Sequence, residues 1–221
     1  MLSVVIPSLN AAGTVGACLG SVREADEIVV VDGGSTDETI RIAARHGARV
    51  ITADRGRGSQ LSSGTEAAQG DWLLFLHADT RLGPGWRSSV DDHISRRSTY
   101  AACFRFRLDA GEWQARLVEV GVAARVRLLR LPYGDQGLLI SRALLDRVGG
   151  YRALPLMEDV DLVGRIGRAR IRSLEADAVT SAQRWRTDGW FRRSARNLLC
   201  LLLYSTGTAP ERLFRIYSGA R

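Results

Sequence analysis

Residues 27–53 read EIVVVDGGSTDETIRIAARHGARVITA, and this stretch decides the fold. "EIVVVD" (27–32) is a short β-branched run closed by an acid, as expected of a strand buried on both faces. "GGSTDETIRIAARHG" (33–47) then starts a helix, with Ser35 three residues ahead of Glu38 in capping-box spacing and Gly47 at its end. "ARVITA" (48–53) is the next strand. Strand, helix and strand with no hairpin signal between them make a right-handed βαβ unit, and hence a parallel sheet.

The same alternation extends in both directions. "LSVVIP" (2–7) is a strand followed by a helix over 11–23; "GSQLSSGTEAAQG" (58–70) is a helix and "DWLLFL" (71–76) a fourth strand. The first 80 residues therefore read as a nucleotide-binding α/β half. Beyond Gly85 the pattern loosens. Phe104 to Leu108 alternates like a half-exposed strand, 112–131 reads as a helix, "GLLIS" (137–141) as a strand and 157–169 as a helix. Residues 171–185 read as extended, and a basic amphipathic helix follows from Gly189. The leucine run 198–203 is apolar on every side of its helix and is expected in the core. No linker, repeat or low-complexity segment appears. The expectation is a single domain over 1–221: a nucleotide-binding half (1–80), an acceptor and catalytic half (81–179) and a basic C-terminal extension (180–221).

Of 221 residues, 45% are hydrophobic, enough for a substantial core. The formal charge of +7 is concentrated: Thr180 to Arg221 holds eight arginines against Asp188 and Glu211, leaving about +1 for the rest. No lysine occurs anywhere. Such a basic end attracts phosphates, nucleic acid or an anionic membrane surface. Cys18, Cys103 and Cys200 have no metal-ligand spacing and cannot all pair, so a reducing, cytoplasmic location is expected. No signal peptide is visible, and the run Leu198 to Tyr204 is far short of the roughly 20 residues that span a bilayer. Membrane contact is expected to be peripheral at most.

In a parallel α/β sheet, ligands sit outside the carboxyl ends of the strands. Asp32 ends one strand and Asp79 follows another, while Pro7-Ser8-Leu9-Asn10 and Asp54 to Gly58 lie in adjacent loops facing the same crevice. Asp37 and Glu38 at the following helix start would repel a pyrophosphate. Asp32 is then an acceptor for a base or ribose, with the diphosphate held by a metal or arginine. Asp79 alone could simply cap its turn; as a metal ligand it would share magnesium or manganese with diphosphate oxygens. In "MEDVDLVGRIGR", Asp161 can pair with Arg165 at i,i+4. Asp159 has no such partner and is the better general base, against the plain reading of a solvated first-turn acid.

Four stretches in order, "VVIPSLNAAGTVGACLGSV", "EIVVVDGGSTDETI", "LLFLHADTRL" and "GGYRALPLMEDVDL", resemble family-2 glycosyltransferases of the GT-A fold over nearly the whole chain. "LLFLHADT" and "LPLMED" are most similar to the short bacterial members linked to arsenosugar biosynthesis and radical-SAM enzymes. The resemblance implies an α/β fold of GT-A type, with a mostly parallel, helix-flanked sheet and a C-terminal helical extension. It implies an inverting hexosyl-type transfer from a UDP- or GDP-linked sugar to a small-molecule or lipid-linked acceptor hydroxyl, with Mg2+ or Mn2+. Asp159, paired with Glu158, would be catalytic, and Asp79, with His77, would bind metal. Pro7, Ser8, Asn10, Asp32 and Ala78 would line the nucleotide-sugar pocket. His77 replaces the usual first acid of the DxD motif, Gly33 replaces the second acid of "VDDGS", and Arg57 and Gln60 stand in for an arginine-asparagine pair. Arg184 and Trp185, in "AQRW", echo a Q-x-x-R-W motif as diphosphate and acceptor contacts, against surface charge and packing as the plainer readings.

Two other classes compete. A sugar-nucleotide nucleotidyltransferase would carry a glycine-rich, lysine-containing N-terminal signature, and "PSLNAAGTVGAC" has no lysine. A non-catalytic binder of RNA or a membrane surface could use Trp185, Trp190 and Phe191 interleaved with arginines. It would leave the strand-end acids without a purpose, so no nucleic-acid partner is expected.

Overall fold

The computed structural model describes residues 1–96 and 99–218. Its first half alternates strand and helix: β1 (Leu2–Ser8), α1 (Val15–Ser21), β2 (Glu27–Asp32), α2 (Thr39–Arg45), β3 (Arg49–Thr52), α3 (Arg57–Ala67) and β4 (Trp72–Phe75). The second half continues with β5 (Thr80–Leu82), α4 (Trp86–Arg96), β6 (Ala101–Asp109), α5 (Trp113–Leu129), β7 (Leu138–Ser141), α6 (Arg142–Arg147) and α7 (Glu158–Ile166). It closes with β8 (Ile171–Ser181), α8 (Gln183–Asp188), α9 (Trp190–Ser205) and α10 (Pro210–Ser218).

The strands form one sheet in the order β3-β2-β1-β4-β7-β6-β8-β5. β1 to β4 are parallel, as the opening stretch predicts. The second half is mixed: β7 runs antiparallel between β4 and β6, β8 is parallel to β6, and β5 is antiparallel to β8. Alternate residues of the first strands feed two cores. Val5, Val29, Val31, Leu73 and Phe75 pack with α3 and α7 on one face, while Val4, Ile6, Val30 and Leu74 pack with α1, α2 and α4 on the other. Burial on both faces accounts for the unbroken apolar runs.

The chain leaves β1 toward β2 on one side and returns through β4 on the other. The topological switch therefore lies between β1 and β4. Pairing of β1 with β4 stops at Val5 and Phe75. Pro7, which lacks an N–H to donate, sits beyond that point, where the two strands diverge into a crevice.

Three expectations are corrected. Ser35 caps no helix: α2 starts at Thr39, with Glu38 as an N-cap that makes no side-chain bond. The Ser35 hydroxyl instead donates to Asp32 Oδ1 at 2.5 Å and accepts from the Asn10 N–H at 2.8 Å. "QRWRTD" is helical (α8), because the β8 ladder ends at Ser181, where Asp109 and Ser181 close the β6 pairing. The leucine run is divided: Cys200 is buried, Leu201 and Leu203 lean on the core, and Leu198, Leu199 and Leu202 face solvent. The three cysteines are buried and free.

Candidate active site

The predicted site residues fall into two groups joined by α3. At the carboxyl ends of β1 and β2, Asp32 is fully buried and spent on shaping a turn. Its Oδ2 accepts the N–H groups of Gly34 (2.9 Å) and Ser35 (2.7 Å), and its Oδ1 accepts the hydroxyls of Ser35 and Ser8 (3.3 Å). Asn10 Oδ1 takes the Thr36 N–H at 2.9 Å, knitting the Pro7–Asn10 loop to that turn. Asn10 adopts φ 49°, a left-handed conformation that asparagine tolerates better than most residues. Gln60 is buried on α3 and donates to the carbonyls of Ser8 and Val31, both at 2.8 Å, so it ties the two strand ends together. A Cβ at Gly33 would lie 3.1 Å from the Gln60 amide, so a larger residue there would crowd Gln60.

One turn earlier on α3, Arg57 points into a cleft that it shares with His77, Asp79, Asp159, Arg184 and Trp185. After β4 the chain turns through His77-Ala78-Asp79, closed by Thr80 N–H to His77 O at 3.0 Å. β8 clamps this turn: Ser181 N–H donates to Asp79 O at 2.9 Å and the Thr80 and Thr180 hydroxyls meet at 2.8 Å. Ala78 is buried in the core, while the Asp79 carboxylate, about a fifth exposed, faces the cleft with Arg184 Nε 4.0 Å away. Burial, followed by the Arg57 and Arg184 charges, holds the His77 imidazole well below its ordinary pKa, so it is neutral near pH 7.

Asp159 lies in the first turn of α7. Met157, the residue before the Glu158-Asp159 pair, has φ 67°, a left-handed conformation costing a side-chain-bearing residue about 1–2 kcal/mol. That strain aims the pair, sending Glu158 inward and Asp159 into the cleft. Glu158 is buried in a close ion pair with Arg57 and does not line the cleft. Burial raises the Glu158 pKa; Arg57 opposes this and Asp159 adds to it. Asp159 is not partnerless: its Oδ2 accepts the Gly134 N–H at 2.7 Å, and its Oδ1 the Val160 N–H at 2.7 Å. Asp161 pairs with Arg165 at 2.6 Å, as the i,i+4 spacing predicts, and also with Arg152 at 3.0 Å.

"YGDQG" (133–137), a loop with no periodicity in the sequence, supplies a further wall. A 3-10 turn over Gly134–Gln136 is held by Gln136 Nε2 to Phe104 O (3.1 Å) and by Thr180 Oγ1 to Asp135 O (3.1 Å). The Asp135 Oδ1 atom is buried with no hydrogen-bond partner among the described residues. Its carboxyl is pushed up to about 6, chiefly by burial; Arg125 opposes the shift and Asp159 and Asp79 add to it. The visible signal was a Gly-Asp turn between an apolar helix and a strand.

α8 and α9 close the cleft. Trp185 is buried against Phe106, with the Arg193 guanidinium 4.8 Å over its ring. Trp185 Nε1, Arg193 Nε and Asn197 Oδ1 are, like Asp135 Oδ1, buried without partners among the described residues. Four unsatisfied polar atoms around one cleft are what a site looks like when its ligand or water completes the hydrogen bonds. Among the described residues, no group of three His, Cys, Asp or Glu side chains forms a closed metal cage. The half-buried Asp79 carboxylate, which shares the cleft with neutral His77, instead fits a divalent cation completed by ligand oxygens and water.

The cleft walled by Asp79, Asp135, Asp159, Arg57 and Arg184 lies beyond the carboxyl end of β4, the edge at which α/β sheets hold their ligands. The Glycosyl transferase family 2 model matches residues 3–155, and the chain belongs to that family. An uncharacterized glycosyltransferase of Mycobacterium bovis is 31% identical over 189 residues, covering 80% of this chain and 83% of the relative. A PGL/p-HBAD biosynthesis glycosyltransferase of the same organism is 43% identical over 93 residues, 37% of this chain. The aligned part spans only 36% of that relative's length. Glucosyl-3-phosphoglycerate synthase of Mycobacterium tuberculosis, solved with Mn2+, UDP-glucose and phosphoglyceric acid, superposes with a TM-score of 0.57 at 25% identity. That match covers 78% of this chain and 68% of that one, and confirms the GT-A-type α/β fold. No helix among the described residues is long and apolar enough to cross a membrane.

Proposed function

We propose that the protein is a metal-dependent, inverting glycosyltransferase that moves a sugar from a nucleoside-diphosphate sugar to an acceptor hydroxyl. The observation that carries this reading is the convergence of Asp79, Asp159, Asp135 and Arg184 on one cleft in which four buried polar atoms have no partner among the described residues. The family membership and the UDP-glucose bound by the structural neighbour support a nucleotide-sugar donor, UDP-linked in preference to GDP-linked.

The base and ribose would lie against the interlocked loops of Pro7, Ser8, Asn10 and Asp32, with Gln60 fixing the strand ends beneath them and Ala78, packed in the core, backing the His77–Asp79 turn. A bound Mg2+ or Mn2+, held by Asp79 beside neutral His77, would supply charge neutralisation for the departing diphosphate. Arg184, whose Nε lies 4.0 Å from Asp79, would face the same oxygens. Asp159, oriented by two backbone N–H groups, takes the proton from the acceptor hydroxyl. The acceptor oxygen then bonds to the anomeric carbon on the face opposite the breaking C–O bond, and the nucleoside diphosphate leaves with that bond's electron pair. Glu158 acts through Arg57, which it fixes at the cleft edge. Trp185, which lines the cleft, would lie on the acceptor side.

A second reading, with Asp135 as the base, is favoured by its unpaired Oδ1 and its carboxyl pushed up to about 6, closer to working pH. The arsenosugar-linked subfamily rests on "LLFLHADT" and "LPLMED" and stands as part of this proposal, as does a single domain over 1–221. The test is hydrolysis of UDP-glucose and GDP-mannose with and without Mn2+ or Mg2+, since many transferases slowly transfer to water. Metal-dependent release of the nucleoside diphosphate supports the reading; release of pyrophosphate instead would identify a nucleotidyl transfer.

A further inference from the structure

α5 and α9 each turn an apolar stripe to solvent. On α5, Trp113, Leu117, Val120 and Leu128 are exposed at helical spacing, although Ala115 and Val122 already supply the face packed on β6. On α9, Phe191, Leu198 and Leu202 repeat the pattern, while Arg193, Asn197 and Cys200 on the other face line the cleft. The two stripes adjoin, with the Trp113 and Phe191 rings 6.3 Å apart. Leu128 is 78% exposed and Phe191 68%, and a contiguous apolar patch of this kind marks a contact surface.

Charge decides what covers this face. Arg127, Arg130 and Arg192 are exposed beside the stripes and make no ion pair among the described residues. The whole chain carries +7. In an isologous dimer each arginine rim would meet a like-charged rim across the two-fold axis. An anionic bilayer complements both features, with apolar side chains among the upper acyl chains and guanidinium groups at the phosphates. We infer that the α5–α9 face docks on an anionic membrane surface. The cleft then lies about one helix diameter, ~10 Å, from the lipid headgroups. The inference does not depend on the reaction assigned to the cleft.

Co-sedimentation of the full chain with vesicles tests it. Vesicles of equal parts phosphatidylcholine and phosphatidylglycerol should pellet the protein at low ionic strength, less as salt rises, and phosphatidylcholine alone should pellet little. The Leu128→Gln/Leu198→Gln/Leu202→Gln variant alters exposed positions only and should keep its circular dichroism and Tm while losing at least about 10-fold in vesicle affinity. Arg127→Ala/Arg192→Ala should weaken binding and flatten its salt dependence. No association with the mixed vesicles at low salt would overturn the proposal. So would association that the triple leucine variant leaves intact, or a solution dimer that this variant splits in a chain that does not bind vesicles.

Discussion

The Gly134 N–H donates to Asp159 Oδ2 at 2.7 Å, so the turn after α5 sets the position of the proposed base at the start of α7. A Cβ at residue 134 would fall 2.6 Å from His77 Nε2 and 3.4 Å from Asp159 Oδ2. Gly134→Ala should therefore separate these two groups without touching the main core. Turnover should fall about 10²-fold, as for a misplacement near 1 Å, with little change in Tm. Steady-state kinetics beside a melting curve would read both, and unchanged turnover would show that the Gly134 contact is dispensable.

Asp159→Asn should lower turnover roughly 10²–10⁴-fold and leave nucleoside-diphosphate affinity nearly intact. Asp161→Asn is the control: it breaks the pairs with Arg165 and Arg152 and should act on stability. If Asp135→Asn removes turnover and Asp159→Asn does not, the base is Asp135.

Asp135 also has a signature in the free protein. Its carboxyl is pushed up to about 6, above its ordinary value near ~4, so the folded chain holds this proton to higher pH than the unfolded chain. Stability from this group is complete below the unfolded value and falls as pH rises toward 6. Asp135→Asn removes that loss. Its Tm should exceed the parent's by at least about 2 °C at pH 8 and converge with it near pH 4. Parallel melting curves across that range would check the sign.

The Arg57–Glu158 pair should be asymmetric. Arg57→Met leaves a buried carboxylate without its cation and should cost roughly 3 kcal/mol in urea unfolding. Glu158→Gln removes the buried charge itself and should cost clearly less. Equal losses would mean that Arg57 contributes packing alone.

β1, β2 and β4 were legible because strands buried on both faces are continuous apolar runs; the short edge strand β3, with no buried residue, and the parallel pairing followed from the strand–helix alternation. β5 is three residues long, and α4 reads "WRSSVDDHISR", too polar to show a clear stripe; neither announces itself. Ser35 and Glu38 have capping spacing, yet Asp32 outcompetes the helix for the Ser35 hydroxyl. The leucine run misled because an all-round apolar helix normally signals burial, whereas here one side remains uncovered. In the site, residues on strand ends and helix starts could be placed by topology. Asp135 could not, since it sits on a loop with no periodicity and gains its character from burial that only the folded chain provides.

The proposed function turns on a metal-diphosphate site at the turn "HAD". Isothermal titration of UDP into the parent, with and without Mn2+, and into Asp79→Ala tests it most directly. The parent should bind UDP more tightly with Mn2+. Asp79→Ala should lose that metal-dependent increment while keeping its fold, and His77→Ala should lose less. An Asp79→Ala protein that retains the parent's full metal dependence would contradict the account.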